Sequence, residues 1–154
     1  MGPSGSGKST LLYSVSGMDK PTSGEVYLKD KDITCVSEKE LSKIRLKYMG
    51  FIFQQMYMLK NLSIMDNILL PAFQTGSKMS ERKEIVEKCK ELMKKLEIGE
   101  IADNDITEVS GGQLQRACIC RSIIHNPQII FADEPTGALN RNSSDEVMNI
   151  LEEL

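Results

Sequence analysis

The pattern that most constrains this chain stands at its start, where Gly2–Ser9 reads Gly-Pro-Ser-Gly-Ser-Gly-Lys-Ser. It fits the motif G-x-x-x-x-G-K-[ST] at every fixed position. Glycines let the backbone curl so that N–H groups point inward, and a following helix adds the positive end of its dipole. The motif predicts a loop that binds a phosphate chain, with Lys8 on the β- and γ-phosphates and the Ser9 hydroxyl on Mg²⁺. The alternative, a flexible Gly/Ser terminus, is disfavoured because the apolar pair Leu11 and Leu12 follows at once.

Composition limits the classes of protein that the chain can belong to. Its 154 residues suit one domain, and a formal net charge of −3 gives no electrostatic reason to expect a nucleic-acid partner. No apolar run approaches the roughly 18 residues of a membrane span, and no signal peptide is apparent. The four cysteines, Cys35, Cys89, Cys118 and Cys120, contain no C-x-x-C pair, so we expect reduced cytosolic thiols. With His125, two of them could be read as a metal cluster, but buried helix cysteines fit the spacing better.

The first half of the chain alternates strand and helix patterns. Period-two alternation predicts a half-exposed strand over residues 25–29 and a turn at 30–32. A capping box, Ser37 to Glu40, opens a short helix. An apolar run over residues 48–53 predicts a buried strand that ends at Gln54. Ligands bind at the carboxyl ends of strands in open α/β sheets, although an ordinary strand end is the alternative for this segment alone.

Two helices are predicted in the middle of the chain. Ser63 caps a helix over residues 64–70, which Pro71 ends. Residues 80–96 form the longest amphipathic helix, with its charges on a solvated face. The apolar loop 56–59 that precedes them has no evident core partner, so it is either a docking surface or a segment that folds back into the core.

The last third of the chain contains a helix start and a carboxylate pair. Ser110 can cap a helix that begins near Gln113, and its Ser-Gly-Gly sequence suits an anion-binding terminus, a weak signal alone. Residues 128–132 are a continuous apolar run, typical of a strand buried on both faces of a parallel sheet. Two carboxylates directly after such a strand are costly to desolvate without a cation. They predict that Asp133 holds Mg²⁺ and that Glu134 acts as a base.

Four motifs therefore stand in a fixed order. They are Gly2–Ser9, Gln54, Ser110–Gln113 and Ile129–Glu134. In this order and at these separations they resemble the ATP-binding-cassette (ABC) ATPase family over essentially the whole chain. Three stretches are similar to the branch that contains macrolide-export, lipoprotein-release and bacitracin-resistance ATPases: residues 50–54, 67–71 and 132–137.

The resemblance implies an α/β fold with a P-loop NTPase core, a mostly parallel sheet and a helical subdomain. The nucleotide-binding core would comprise about residues 1–54 and 110–154, and the helical subdomain about residues 55–109. The family's strand before the phosphate loop, and its part after the final amphipathic helix at 147–154, have no counterpart. We therefore expect an incomplete domain, truncated at both ends.

The resemblance also implies the site. ATP would be bound by the loop residues Gly2, Ser4, Gly5, Ser6, Gly7, Lys8, Ser9 and Thr10. Mg²⁺ would be held by Ser9, Asp133 and Gln54. Glu134 would be the general base, with Lys8 and Gln54 as further catalytic residues. Ser110, Gly111, Gly112 and Gln113 match the signature motif, which in this family contacts the γ-phosphate of ATP held by the opposite subunit.

The implied function is that of a transporter's ATP-binding subunit, which couples ATP binding and hydrolysis to export or extraction through a membrane permease. It would act as a homodimer, cytoplasmic and peripheral at the inner face of the cell membrane, without a nucleic-acid partner. The loop 56–59 and the helix 64–70 lie where this family receives the permease's coupling helix.

Some positions depart from the family pattern. Val109 replaces the usual leucine of the signature motif, and Asn140 stands where the D-loop has aspartate. His125 precedes Asp133 and cannot serve as the switch histidine, so we interpret it as a helix-terminus residue.

Three other interpretations remain. One is a non-catalytic fragment that binds nucleotide weakly. Another is a soluble, non-transport ABC ATPase, which the short interval between Gln54 and Ser110 disfavours because it has no sustained heptads. The third is a different P-loop enzyme, such as a small-molecule kinase, which would share Gly2–Ser9 but not the later motifs.

Overall fold

A computed structural model describes residues 6–76 and 78–135, together with Ser144, Asp145 and Met148. Within these residues helices are combined with short strands, as the α/β class requires. The elements are α1 (Lys8–Val15), β1 (Tyr27–Leu28), β2 (Lys31–Asp32), α2 (Glu38–Tyr48), β3 (Met49–Ile52), α3 (Ile64–Gln74), α4 (Arg82–Lys95), a 3₁₀ turn (Gly99–Ile101), α5 (Gly111–Ile123) and β4 (Ile129–Ala132). Asn140 and most of the helix predicted at 147–154 lie outside the described residues.

Strands β3 and β4 form a parallel pair, as the motif order predicts. Their register aligns Met49 with Ile129 and Ile52 with Ala132. The backbone N–H of Asp133 extends the pairing by donating to the carbonyl of Ile52 at 2.8 Å. Parallel strands need a long crossover connection, which here contains α3, α4 and α5. The pairing therefore brings the carboxyl ends of β3 and β4 to one edge.

The main hydrophobic core lies between α3, α4, α5 and one face of β3. Its largest fully enclosed side chains are Ile52, Ile64, Ile68, Met93, Ile98 and Ile119. Cys89, Cys118 and Cys120 are buried, and Cys35 is exposed; all four are free thiols. Burial raises the pKa of Cys89 and of Cys118 to about 11. The interpretation of the helix cysteines as apolar core residues is therefore confirmed.

The opposite faces of β3 meet different neighbours. Gly50 and Ile52 face α5, whereas Met49 and Phe51 belong to a second apolar cluster beside α2. A Cβ atom at Gly50 would lie 2.2 Å from the carbonyl oxygen of Ser122 in α5. Strand and helix are therefore in backbone contact at this point, which a larger residue would prevent.

Local rules misplace several element ends. Strand β1 spans only Tyr27–Leu28 and pairs with β2, so the predicted turn at 30–32 is wrong at two of its three residues, Lys31 and Asp32. The hairpin instead turns at Lys29, whose φ of 55° is left-handed. The prediction that Pro71 ends a helix is also wrong, because α3 continues to Gln74. Ala72, directly after the proline, is 3% exposed, and its burial offsets the lost backbone hydrogen bond.

Strand β4 is less enclosed than its apolar sequence predicts. Ile129 is 38% exposed and Ala132 is also exposed. Within the described residues β4 pairs with β3 alone, so its other edge has no strand beside it. Leu11 in α1 is likewise 65% exposed, and no residue of α1 is buried by the part of the chain that the structure describes. Helix α5 begins at Gly111, two residues before the predicted start.

Candidate functional site

A polar cleft of about 310 Å³ opens between the start of α1 and the carboxyl ends of β3 and β4. It is lined by Ser6, Gly7, Lys8, Ser9, Thr10, Gln54, Asp133 and Glu134. Every one of these residues belongs to the predicted site, although they come from three distant stretches of the sequence. Gly2, Ser4 and Gly5 of the same prediction lie outside the described residues.

The N-terminus of α1 supplies the cationic side of the cleft. Gly7 adopts the left-handed region with φ 80°, and its carbonyl accepts the first helical hydrogen bond from Leu11 N–H at 2.9 Å. No side chain caps this end, and its first turn contains no acidic residue. Lys8 Nζ lies 3.4 Å from Ser6 Oγ at the rim. Uncapped N–H groups and a lysine around one opening suit an anion such as a phosphate chain.

Two oxygen donors meet across the cleft. Ser9 Oγ donates a 2.6 Å hydrogen bond to Asp133 Oδ2, joining residues 124 positions apart. Cis ligands of an octahedral Mg²⁺ are separated by about 2.9 Å, given Mg–O distances of about 2.0–2.1 Å. A hydroxyl and a carboxylate at this separation fit one Mg²⁺, and Gln54 lines the same cleft with an amide. The described residues contain no group of three or more His, Cys, Asp or Glu side chains that could hold a metal, so the remaining ligands would be water and phosphate oxygens.

Glu134 stands beside this pair in a strained conformation. Its φ of 52° is left-handed, which costs a non-glycine residue about 1–2 kcal/mol. Gln54 Nε2 donates to its Oε2 at 3.0 Å, across 80 positions of sequence. Glu134 is exposed and Asp133 is half-buried. The desolvation argument that predicted a cation therefore applies to Asp133 and not to Glu134.

One residue at this site has no counterpart in the sequence predictions. Gln115 is 4% exposed, and its Nε2 donates to the carbonyl oxygens of Pro135 at 2.5 Å and Glu134 at 3.3 Å. A usable signal was present, because Cys118 and Ile119 follow it at the i+3 and i+4 positions. A glutamine on that apolar face must find polar partners in the interior.

The signature-like residues form a separate group at the start of α5. Ser110 Oγ accepts from the backbone N–H of Gln113, and Gln113 Oε1 accepts from the backbone N–H of Ser110 at 2.9 Å. Gln113 Nε2 also donates to Glu100 Oε1 at 3.2 Å. Ser110, Gly111, Gly112 and Gln113 do not line the cleft of their own chain. The structure thus divides the predicted site into two groups.

The loop 56–59 folds back into the core in part, which is one of its two predicted alternatives. Met58 packs against the core, whereas the side chain of Tyr57 is 63% exposed. Arg121 fixes the loop by donating to the carbonyls of Met56 and Tyr57 at 2.9 and 2.8 Å. A groove of about 500 Å³ lies beside it, lined in part by Tyr57, Arg121 and His125. His125 follows the end of α5, as interpreted from the sequence.

Comparison with known proteins agrees with this geometry. The family model described as "ABC transporter" matches residues 1–137, and the chain belongs to this family. The match confirms the resemblance based on the four motifs. Within the described residues, no helix is both long and apolar enough to cross a membrane.

Relatives of several named functions align with the whole chain. The bacitracin export ATP-binding protein BceA of Halalkalibacterium halodurans is 46% identical over 154 residues, which are 100% of this chain and 60% of that protein. The lipoprotein-releasing system ATP-binding protein LolD of Leptospira interrogans is 43% identical, over 99% of this chain and 63% of its own length. The macrolide export ATP-binding/permease protein MacB of Bartonella quintana is 40% identical over 100% of this chain and 23% of its length. The chain thus spans about 60% of the first two relatives.

A solved structure confirms the fold. The dimeric structure of the ATP-binding cassette MJ0796 in a post-hydrolysis state, bound to ADP and Pi, superposes with a TM-score of 0.90 at 38% identity. The superposition covers 100% of this chain and 67% of the MJ0796 chain. The described chain therefore has the α/β fold of an ABC ATPase cassette.

Proposed function

We propose that this chain binds ATP with Mg²⁺, hydrolyses it, and couples the cycle to transport through a membrane permease. The observation that carries the proposal is the cleft in which the Ser9–Asp133 and Gln54–Glu134 hydrogen bonds lie opposite the uncapped start of α1. A phosphate-binding terminus, two hard oxygen donors and an exposed carboxylate are the parts that phosphoryl transfer to water requires.

Each side chain has a role in this chemistry. Lys8 and the first N–H groups of α1 bind the β- and γ-phosphates. Ser9 and Asp133, with Gln54, would hold Mg²⁺, which when bound would neutralise charge on the phosphate oxygens. Glu134 accepts a proton from the attacking water, a contribution worth about 10²–10⁴ in rate. Gln54 orients the carboxylate of Glu134 through its amide.

The separate position of Ser110–Gln113 supports a dimer. These residues form a helix N-terminus that does not line the chain's own cleft, so they suit the γ-phosphate of ATP held by a second subunit. The related cassette MJ0796 is described as dimeric in its solved structure. A head-to-tail homodimer would complete two sites at once.

The groove beside Tyr57 supports a membrane partner. It combines the exposed ring of Tyr57 with Phe51 of β3 and Phe53 directly after it, and opens between α2 and the α3–α5 layer. An amphipathic helix of a permease suits such a groove. The names of BceA, LolD and MacB favour export or extraction as the direction. The subunit would then lie at the cytoplasmic face of the membrane, with residues 1–54 and 110–154 as the core and 55–109 as the helical subdomain.

ATP hydrolysis by the chain, with and without Mg²⁺, tests the proposal. Glu134→Gln should lower kcat by about 10²- to 10⁴-fold because the amide cannot accept the proton. The matched control is Glu91→Gln, which makes the same change on the exposed face of α4. Equal rates for the chain and its Glu134→Gln variant would contradict the assignment of Glu134. Tight ATP binding without any turnover would favour the non-catalytic interpretation.

A further inference from the structure

Gln115 is placed to control the segment that carries Glu134. Its side chain is almost fully enclosed, and burying a primary amide is costly unless its N–H groups are paired. Its Nε2 donates to two main-chain carbonyls, those of Glu134 and Pro135. Gln115 therefore contacts the backbone that directly follows Asp133, not the cleft itself, whose lining does not include it.

The backbone at Glu134 needs contacts that hold it in its unfavourable conformation. Glu134 has a left-handed φ of 52°, a conformation that persists in a non-glycine residue when surrounding contacts over-determine it. The carboxylate of Glu134 is exposed, and Gln54 Nε2 contacts it from the side of β3. Its direction is thus set by two amides: Gln54 acts on the side chain, and Gln115 acts on the main chain.

The same helix carries the signature-like residues. Gln113 and Gln115 are two positions apart in α5, so their side chains point about 200° away from each other. Gln113 faces Glu100 on the outer side, whereas Gln115 faces the interior. A displacement of the start of α5 would therefore reach the carbonyls of Glu134 and Pro135 through the buried amide of Gln115.

We propose that Gln115 is a positioning residue for Glu134, which fixes the backbone of Glu134–Pro135 and makes it move with the helix that begins at Ser110. The inference rests on the proposed function, in which Glu134 is the base. In a dimer, contact of Ser110–Gln113 with the nucleotide of one site would then adjust the base of the other site.

The test compares Gln115→Leu, which keeps the volume and removes both donors, with Ser122→Ala. Ser122 is the matched control because it is also buried in α5 and donates to Ile119 O at 2.7 Å, away from the cleft. Gln115→Leu should lower kcat by about 10- to 100-fold, the effect of a misplaced catalytic group. The dissociation constant for ATP should change by less than about twofold, because the groups that bind phosphate are untouched.

Hydrogen–deuterium exchange of the nucleotide-free chain provides a readout that needs no turnover. Peptides that contain Asp133 and Glu134 should exchange faster in Gln115→Leu than in Ser122→Ala, with both variants compared at equal distance from their melting temperatures. Exchange and kcat equal to those of Ser122→Ala would overturn the positioning role. Failure of Glu134→Gln to slow hydrolysis would instead overturn the proposed function, and the exchange data would still decide whether Gln115 holds this segment.

Discussion

Ile64 and Ile68 are fully enclosed between α3 and α5, whereas Leu11 in α1, the helix that begins at the end of the Gly2–Ser9 motif, is 65% exposed. The helical layer is held by apolar burial on many sides. The cleft is held by a few polar contacts between distant residues, such as Ser9 with Asp133 and Gln54 with Glu134. From this difference we expect substitutions in the helical layer to lower the free energy of unfolding, and substitutions in the cleft to change the proposed ATP hydrolysis.

The sharpest test of this contrast pairs two aliphatic truncations. Ile68→Ala should lower the free energy of unfolding by about 2–5 kcal/mol, because it opens a cavity in an enclosed core. Leu11→Ala should change it by less than about 0.5 kcal/mol, since that side chain is mostly solvated. Urea unfolding followed by circular dichroism measures both. Similar losses for the two variants would mean that α1 belongs to the same core.

A smaller effect is expected where a polar residue is part of the helical layer. Asn67 is 1% exposed. Its Oδ1 accepts from the backbone N–H of Leu59 at 2.8 Å, and its Nδ2 donates to the carbonyl of Leu59 at 3.0 Å. Asn67→Ala should cost about 1–3 kcal/mol, the penalty for leaving buried groups unpaired. The exposed Asn61→Ala is the control. The comparison would fail if both variants unfolded at the same urea concentration.

The smallest effect concerns pH. His125 is the chain's sole histidine; burial lowers its pKa, which the contact with the Met49 carbonyl partly counteracts. The unfolded chain therefore binds the proton more readily than the folded chain. This contribution to stability is complete above the ordinary pKa of about 6.5 and is lost as pH falls through the window below it. The free energy of unfolding should differ less between pH 8 and pH 5.5 in His125→Gln than in the unaltered chain. An equal difference in both would show that His125 is not the source of this pH dependence.

Both regions were partly predictable from the sequence, for different reasons. Helix starts follow local chemistry, so Ser37, Ser63 and Ser110 each cap a helix as predicted. The helix end assigned to Pro71 was wrong because burial of later residues outweighs a local rule. The prediction that β4 is buried on both faces was wrong, because an apolar run does not reveal how many neighbours the strand has.

The residues of the cleft were predictable as a set, but their contacts were not. The motifs named Ser9, Gln54 and Asp133, and the proximity of Gln54 to Asp133 follows from the parallel register of β3 and β4. The family resemblance implies that Ser9 and Asp133 share one Mg²⁺, but not that they form a direct 2.6 Å hydrogen bond, because residues 124 positions apart meet only through tertiary packing. The apolar helix face of Gln115 indicates its burial, but its role could not be predicted because it depends on carbonyls of another element.

The contact at Gly50 adds a constraint on how this site can vary. Because β3 touches α5 backbone to backbone, the distance between sheet and helix is set by the absence of a side chain. Any larger residue would move α5 outward, and with it Gln115, whose amide reaches the Glu134 turn from that helix. A position with no functional group, which does not line the cleft, therefore determines the thickness of the layer on which the geometry of the cleft depends.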